Sequence, residues 1–88
     1  MNSSKFNHFN LEINNQKSEC VILERKKHTD KKPPFYIFDL TRCCYVSSLK
    51  PTAKENQFSF DVRDKENDSN IFYTLSISES GKIEVSKE

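Results

Sequence analysis

The chain has 88 residues, 34% of them hydrophobic and 31% charged, and 14 basic residues nearly balance 13 acidic ones to leave a net charge of +1. That length fits one domain with a thin core. The near-neutral total excludes a generally basic nucleic-acid binder, though not a local basic patch, and separates the chain from the highly charged disordered class.

In chain order, residues 1–5 read as a flexible tail and residues 6–88 as a single β domain. Met1-Asn2-Ser3-Ser4-Lys5 lacks the apolar stretch of a signal peptide, and no later run has the length of a membrane span. Phe9, Leu11 and Ile13 alternate with Asn10 and Glu12, which predicts a first strand with one apolar and one wet face. Asn14 to Ser18 is polar and turn-prone. Cys20 to Arg25 is a second expected strand, whose run Val21-Ile22-Leu23 suggests burial on both sides.

Between Lys26 and Pro34 the chain breaks. Pro33-Pro34 cannot donate to a ladder, so a loop is expected there. Arg25, Lys26, Lys27, Lys31 and Lys32 crowd this loop, with His28 and Thr29 between them. Phe35 to Leu40 and Arg42 to Leu49 are the third and fourth expected strands, the latter centred on Cys43-Cys44-Tyr45-Val46. Lys50 to Asn56 is expected to be a loop. Phe58, Phe60 and Val62 then alternate with Gln57, Ser59, Asp61 and Arg63, and Tyr73, Leu75 and Ile77 with Thr74, Ser76 and Ser78. These are expected to be neighbouring antiparallel strands, joined by a solvated loop at 64–70. A turn around Gly81, the only glycine, leads to a short last strand with Ile83 and Val85. The pattern predicts an all-β fold: a small antiparallel meander curled into a partly open barrel of six or seven strands around a phenylalanine-rich core.

Asp39 to Val46, the segment Phe58-Ser59-Phe60-Asp61-Val62 and the segment Phe72 to Glu79 resemble the fourth, fifth and sixth strands of pleckstrin-homology domains. The resemblance covers residues 35–79. It implies that family's barrel, but the chain has no tryptophan, and its end from Gly81 to Glu88 favours a strand over the family's closing helix. The loop after the first strand offers only Lys17 where the family places its phosphoinositide pattern.

No motif for catalysis or metal binding emerges. The cysteines, Cys20, Cys43 and Cys44, are three in number and lack framework spacing, so a reducing, cytoplasmic setting is expected. Neighbours on a strand face opposite ways, so Cys43 and Cys44 should not share a metal, and one of them should be buried. With a single glycine there is no phosphate-cradling loop. Neither a metal nor another cofactor is expected, and the chain is not expected to be an enzyme.

What remains is the basic loop. Arg25, Lys26, Lys27, Lys31 and Lys32 are the candidate binding residues, suited to phosphate, an anionic membrane or an acidic protein surface. The expected function is a non-catalytic module acting through protein–protein contacts, with this loop as a weak anionic contact. The alternative is a small inhibitor or accessory factor that docks onto a larger enzyme or complex. An open strand edge also offers a route to a homodimer. Nucleic acid is not the expected partner, because Phe58, Phe60, Tyr73 and Tyr45 read as core and the outward residues of the fifth strand make no basic platform.

Overall fold

The computed structural model describes residues 8–27 and 31–88. The expected tail at 1–5 lies outside the described residues, as do His28 and Thr29. Eight strands follow in order: β1 (His8–Ile13), β2 (Gln16–Glu24), β3 (Phe35–Asp39), β4 (Cys44–Ser48), β5 (Lys50–Pro51), β6 (Gln57–Asp64), β7 (Ser69–Ile77) and β8 (Ile83–Lys87). They form two four-stranded sheets, β1-β2-β3-β4 and β5-β6-β7-β8, in which every strand pairs antiparallel with its neighbour in the chain. The fold is therefore all-β and a meander within each sheet. A closed barrel is not formed among the described residues.

The count exceeds the expected six or seven because Lys50–Pro51, expected in a loop, pairs with Ser59 and Phe58. This short strand continues β4 after a single residue, Leu49. The Leu49 amide donates to the Phe35 carbonyl at 3.0 Å, so it still belongs to the first sheet, while Lys50 already belongs to the second. One bent segment thus serves both layers, and the buried Leu49 side chain fills the corner. At the other side of the molecule β1 and β8 approach each other without a ladder between them.

Local chemistry explains the turns. Asn14 and Asn15 sit at φ 53° and 65° between the paired Ile13 and Gln16. Such a two-residue connection needs both residues left-handed, and asparagine tolerates this better than most. Gly81 has φ 89°, as its place in the last turn requires. The loop between β6 and β7 is shorter than expected, because Asp64 and Ser69 are themselves a paired rung.

The core lies between the sheets. Phe9, Leu11, Cys20, Ile22 and Ile37 face it from the first sheet, and Phe60, Tyr73 and Leu75 from the second. Alternation explains the choice: these residues occupy one parity of each strand. Ile37 and Leu75 have no exposed surface, and burying each such side chain stabilises the fold by about 1.5–3 kcal/mol. The Phe60 and Tyr73 rings stack at 5.1 Å across the β6–β7 ladder. Ser18 and Asp39 are the buried polar groups of the first sheet. Asp39 accepts from the Arg42 amide at 2.9 Å and so holds the turn at 40–43.

Candidate functional site

Of the three apolar residues in the second strand, Val21 and Ile22 are buried, on opposite faces of the sheet. The outer face of the first sheet is thus partly apolar. Val21 pairs with Phe38, and Leu23 with Tyr36, across the β2–β3 ladder. Phe38 pairs in turn with Tyr45 on β4. These side chains form a strip across three strands on the side away from the core.

Tyr45 corrects an expectation. It reads as core in the sequence, yet it is 53% exposed. The cause is a bulge in the β3–β4 ladder, where Ile37 pairs with Ser47 but Phe38 pairs with Tyr45, so Val46 is the extra residue. The bulge shifts the parity of β4 by one and turns Tyr45 outward.

The basic loop meets this strip. Arg25, Lys26, Lys27, Lys31 and Lys32 join Tyr36, Phe38 and Tyr45 around one concavity of about 750 Å³. All five predicted binding residues are therefore brought together. Arg25 is the best fixed of them. Its amide donates to the Pro34 carbonyl at 2.7 Å and its Nε to the Pro33 carbonyl at 2.9 Å. Nη2 donates to Ser48 Oγ at 2.7 Å, and the guanidinium carbon sits 5.1 Å from the centre of the Tyr36 ring. Such a cation over a ring contributes about 0.5–1 kcal/mol at an exposed site. Ser48 Oγ is also within 2.8 Å of the Tyr45 hydroxyl, and the Tyr36 and Tyr45 rings lean together at 5.8 Å. The four lysines are exposed, and none takes part in an ion pair among the described residues. The result is a cluster of like charge beside a fixed aromatic floor.

The aromatic half of this site was missed by the reading of the loop alone. A signal existed. In Phe35-Tyr36-Ile37-Phe38 both parities are apolar, which a strand with one wet face does not need.

The cysteines are also corrected. Both Cys43 and Cys44 are exposed, and the buried thiol is Cys20. Cys43 occupies a turn at φ 56°, so the pair does not lie on a regular strand. Burial, with the Asp39 carboxylate nearby, pushes the Cys20 thiol up to about 11. It therefore stays protonated and a poor nucleophile.

A second polar cluster is structural. Asp64, expected in a solvated loop, is buried. Its carboxylate accepts from Asn14 Nδ2 at 3.0 Å, Asn67 Nδ2 at 2.7 Å and the amides of Glu66 and Asn67 at 3.1 and 3.3 Å. The side-chain amide of Asn14, followed by that of Asn67, holds this carboxyl below its usual range. The bond to Asn14 ties the β1–β2 turn to the β6–β7 turn across the two sheets.

Among the described residues no three His, Cys, Asp or Glu side chains gather as a metal-binding group, and no helix is long and apolar enough to cross a membrane. A scan against protein-family models finds no match, and neither a search of curated proteins nor one of solved structures finds a similar protein.

Proposed function

We propose that this protein is a non-catalytic binding module that acts through protein–protein contacts, with the outer face of the first sheet as its docking surface. The observation that carries the reading is the concavity in which five cations border Tyr36, Phe38 and Tyr45. Tyrosine, phenylalanine and arginine are enriched at protein interfaces, and a fixed Arg and a large ring are the usual energetic centres. The lysines lie at the rim, where charge steers encounter more than it adds affinity, and they serve as the accessory contact to anionic groups.

A pleckstrin-homology-like barrel is part of this proposal. Two sheets that share the bent segment around Leu49 and stay unsealed between β1 and β8 fit a partly open barrel of that kind, and the resemblance at 35–79 supports it. The three free thiols agree with a reducing compartment.

A second reading, a small inhibitor or accessory factor docking on a larger enzyme, is favoured by the unladdered edges of β1 and β8, which offer backbone groups for strand addition. The same edges would serve a homodimer.

The test is a quantitative affinity capture with three baits: the wild type, Tyr45→Ala on the docking face, and Val85→Pro on β8. Partners lost only with Tyr45→Ala support the first reading. Loss only with Val85→Pro shifts the contact to the open edge. An identical partner set for all three baits removes both surfaces from the account.

A further inference from the structure

The geometry points to an extended acidic peptide segment, carrying one large apolar side chain, as the partner of the outer face of the first sheet. This rests on the docking-surface reading above and names the chemistry of its occupant. Charge complementarity is the first argument. Arg25, Lys26, Lys27, Lys31 and Lys32 are concentrated at one end of the face, so an occupant reaching that end carries negative charge. Arg25 is held in place by Pro33, Ser48 and the Tyr36 ring, which leaves Nη1 without a partner among the described residues. A guanidinium already fixed in this way loses little freedom when it meets a carboxylate.

The floor decides between anionic partners. Stacked nucleobases need free ring faces. Here the Tyr36 ring is covered by the Arg25 guanidinium, and Tyr45 leans on it at an angle of 34°. Outside the concavity, Leu23 is exposed on the same face, opposite Tyr36 in the β2–β3 ladder. A ring-lined hollow whose best-placed ring is already covered, with an aliphatic side chain beside it, receives a protruding apolar side chain better than a base. The register gives a spacing as well. Phe38 is six positions along the chain from Lys32, at most roughly 20 Å if fully extended. In an extended partner the acidic residues then lie within about six positions of the apolar anchor.

The test measures fluorescence anisotropy with the full chain and a labelled peptide in which a tryptophan is followed by a short run of aspartate and glutamate. Parallel probes are the same peptide with glutamine and asparagine for the acids, the same peptide with alanine for tryptophan, a labelled oligothymidylate, and phosphatidylserine vesicles. The expected result is binding to the acidic, tryptophan-bearing peptide alone. Tyr45→Ala, or Lys26→Glu with Lys32→Glu, should then weaken it by about tenfold, and added salt should weaken it further. Equal or tighter binding of the oligothymidylate or the vesicles overturns the proposal, as does indifference to loss of the tryptophan or of the acids. Failure of every probe, while Tyr45→Ala still loses a protein in the affinity capture, rejects the acidic segment and leaves the docking surface standing. Failure of the probes together with an unchanged capture rejects both.

Discussion

The outer faces of the two sheets obey the same alternation and reach opposite outcomes. On the second sheet the outward residues of β6 and β7 neutralise one another. Asn70 donates to Asp61 at 2.7 Å, Arg63 donates to Asn70 at 3.1 Å and pairs with Asp68, and Thr74 donates to Glu88 at 2.9 Å. Phe72 is the one large apolar residue exposed there among those described. On the first sheet Glu19 pairs with His8 at 3.1 Å on the outer face, but Val21, Leu23, Tyr36, Phe38 and Tyr45 form an apolar strip, and the five charged residues that border its concavity are all cationic. A face that satisfies its own polar groups has little left for a partner, while a face with unmatched charge beside apolar floor has both steering and contact area to offer. Net charge hides this difference, because a value of +1 averages over both.

The comparison can be broken most forcefully from within. Leu75→Ala removes a side chain with no exposed surface and should cost about 2–5 kcal/mol in urea unfolding, while Phe72→Ala, three positions earlier on the opposite parity and 55% exposed, should change stability by only about 0.5 kcal/mol. Similar losses for the two would contradict the assignment of faces.

Acid should next loosen the tie between the layers. The Asp64 carboxyl is held below its usual range, so the folded state binds that proton less readily than the unfolded chain. Its contribution is complete above the unfolded value of about 3.9 and is lost as pH falls through the lower folded value. Asp64→Asn should lower stability at neutral pH and flatten the acid limb of a plot of urea midpoint against pH. An acid limb of unaltered slope would count against the tie.

A gain is expected at Cys43, whose left-handed φ of 56° suits glycine better. Cys43→Gly should stabilise the fold by roughly 0.5–1 kcal/mol, read as a rise in thermal midpoint.

The smallest structural effect belongs to the site itself. Lys26→Glu with Lys32→Glu should leave the unfolding midpoint within about 0.5 kcal/mol of the wild type, because both side chains are exposed. A large loss of stability would make those lysines part of the scaffold. Thiol labelling gives a check that needs no mutation. Cys43 and Cys44 should react in the native protein and Cys20 only after unfolding.

Much of this architecture could be read in the sequence wherever the two-residue beat runs unbroken. Phe58, Phe60 and Val62, and Tyr73, Leu75 and Ile77, turn inward as their spacing predicts, fully or in part. The basic loop was equally plain, because charge and Pro33-Pro34 are visible without a fold. The misreadings cluster where the beat slips. The bulge at Val46 reverses the parity of Tyr45, and nothing in Cys44-Tyr45-Val46-Ser47 announces an extra residue. Leu49 carries the chain from one sheet to the other without a turn residue to mark it. Asp64 looked solvated because the one partner that ties it to the other sheet, Asn14, lies 50 positions away, although its bonds from Glu66 and Asn67 are local. The bulge and the Leu49 corner are departures from regular strand geometry that residue type alone does not mark.

The strict succession of ladders has a kinetic consequence. Every rung joins strands that are consecutive in the chain, so hairpins can zip one after another without waiting for distant segments to meet. Loop closure is cheap at each step, and proteins dominated by such local pairings fold faster than β proteins with crossed connections. The two halves would then mature as separate meanders and dock last, hinged on Leu49. In kinetic experiments a Leu49→Ala variant should chiefly accelerate unfolding and leave the refolding limb almost untouched.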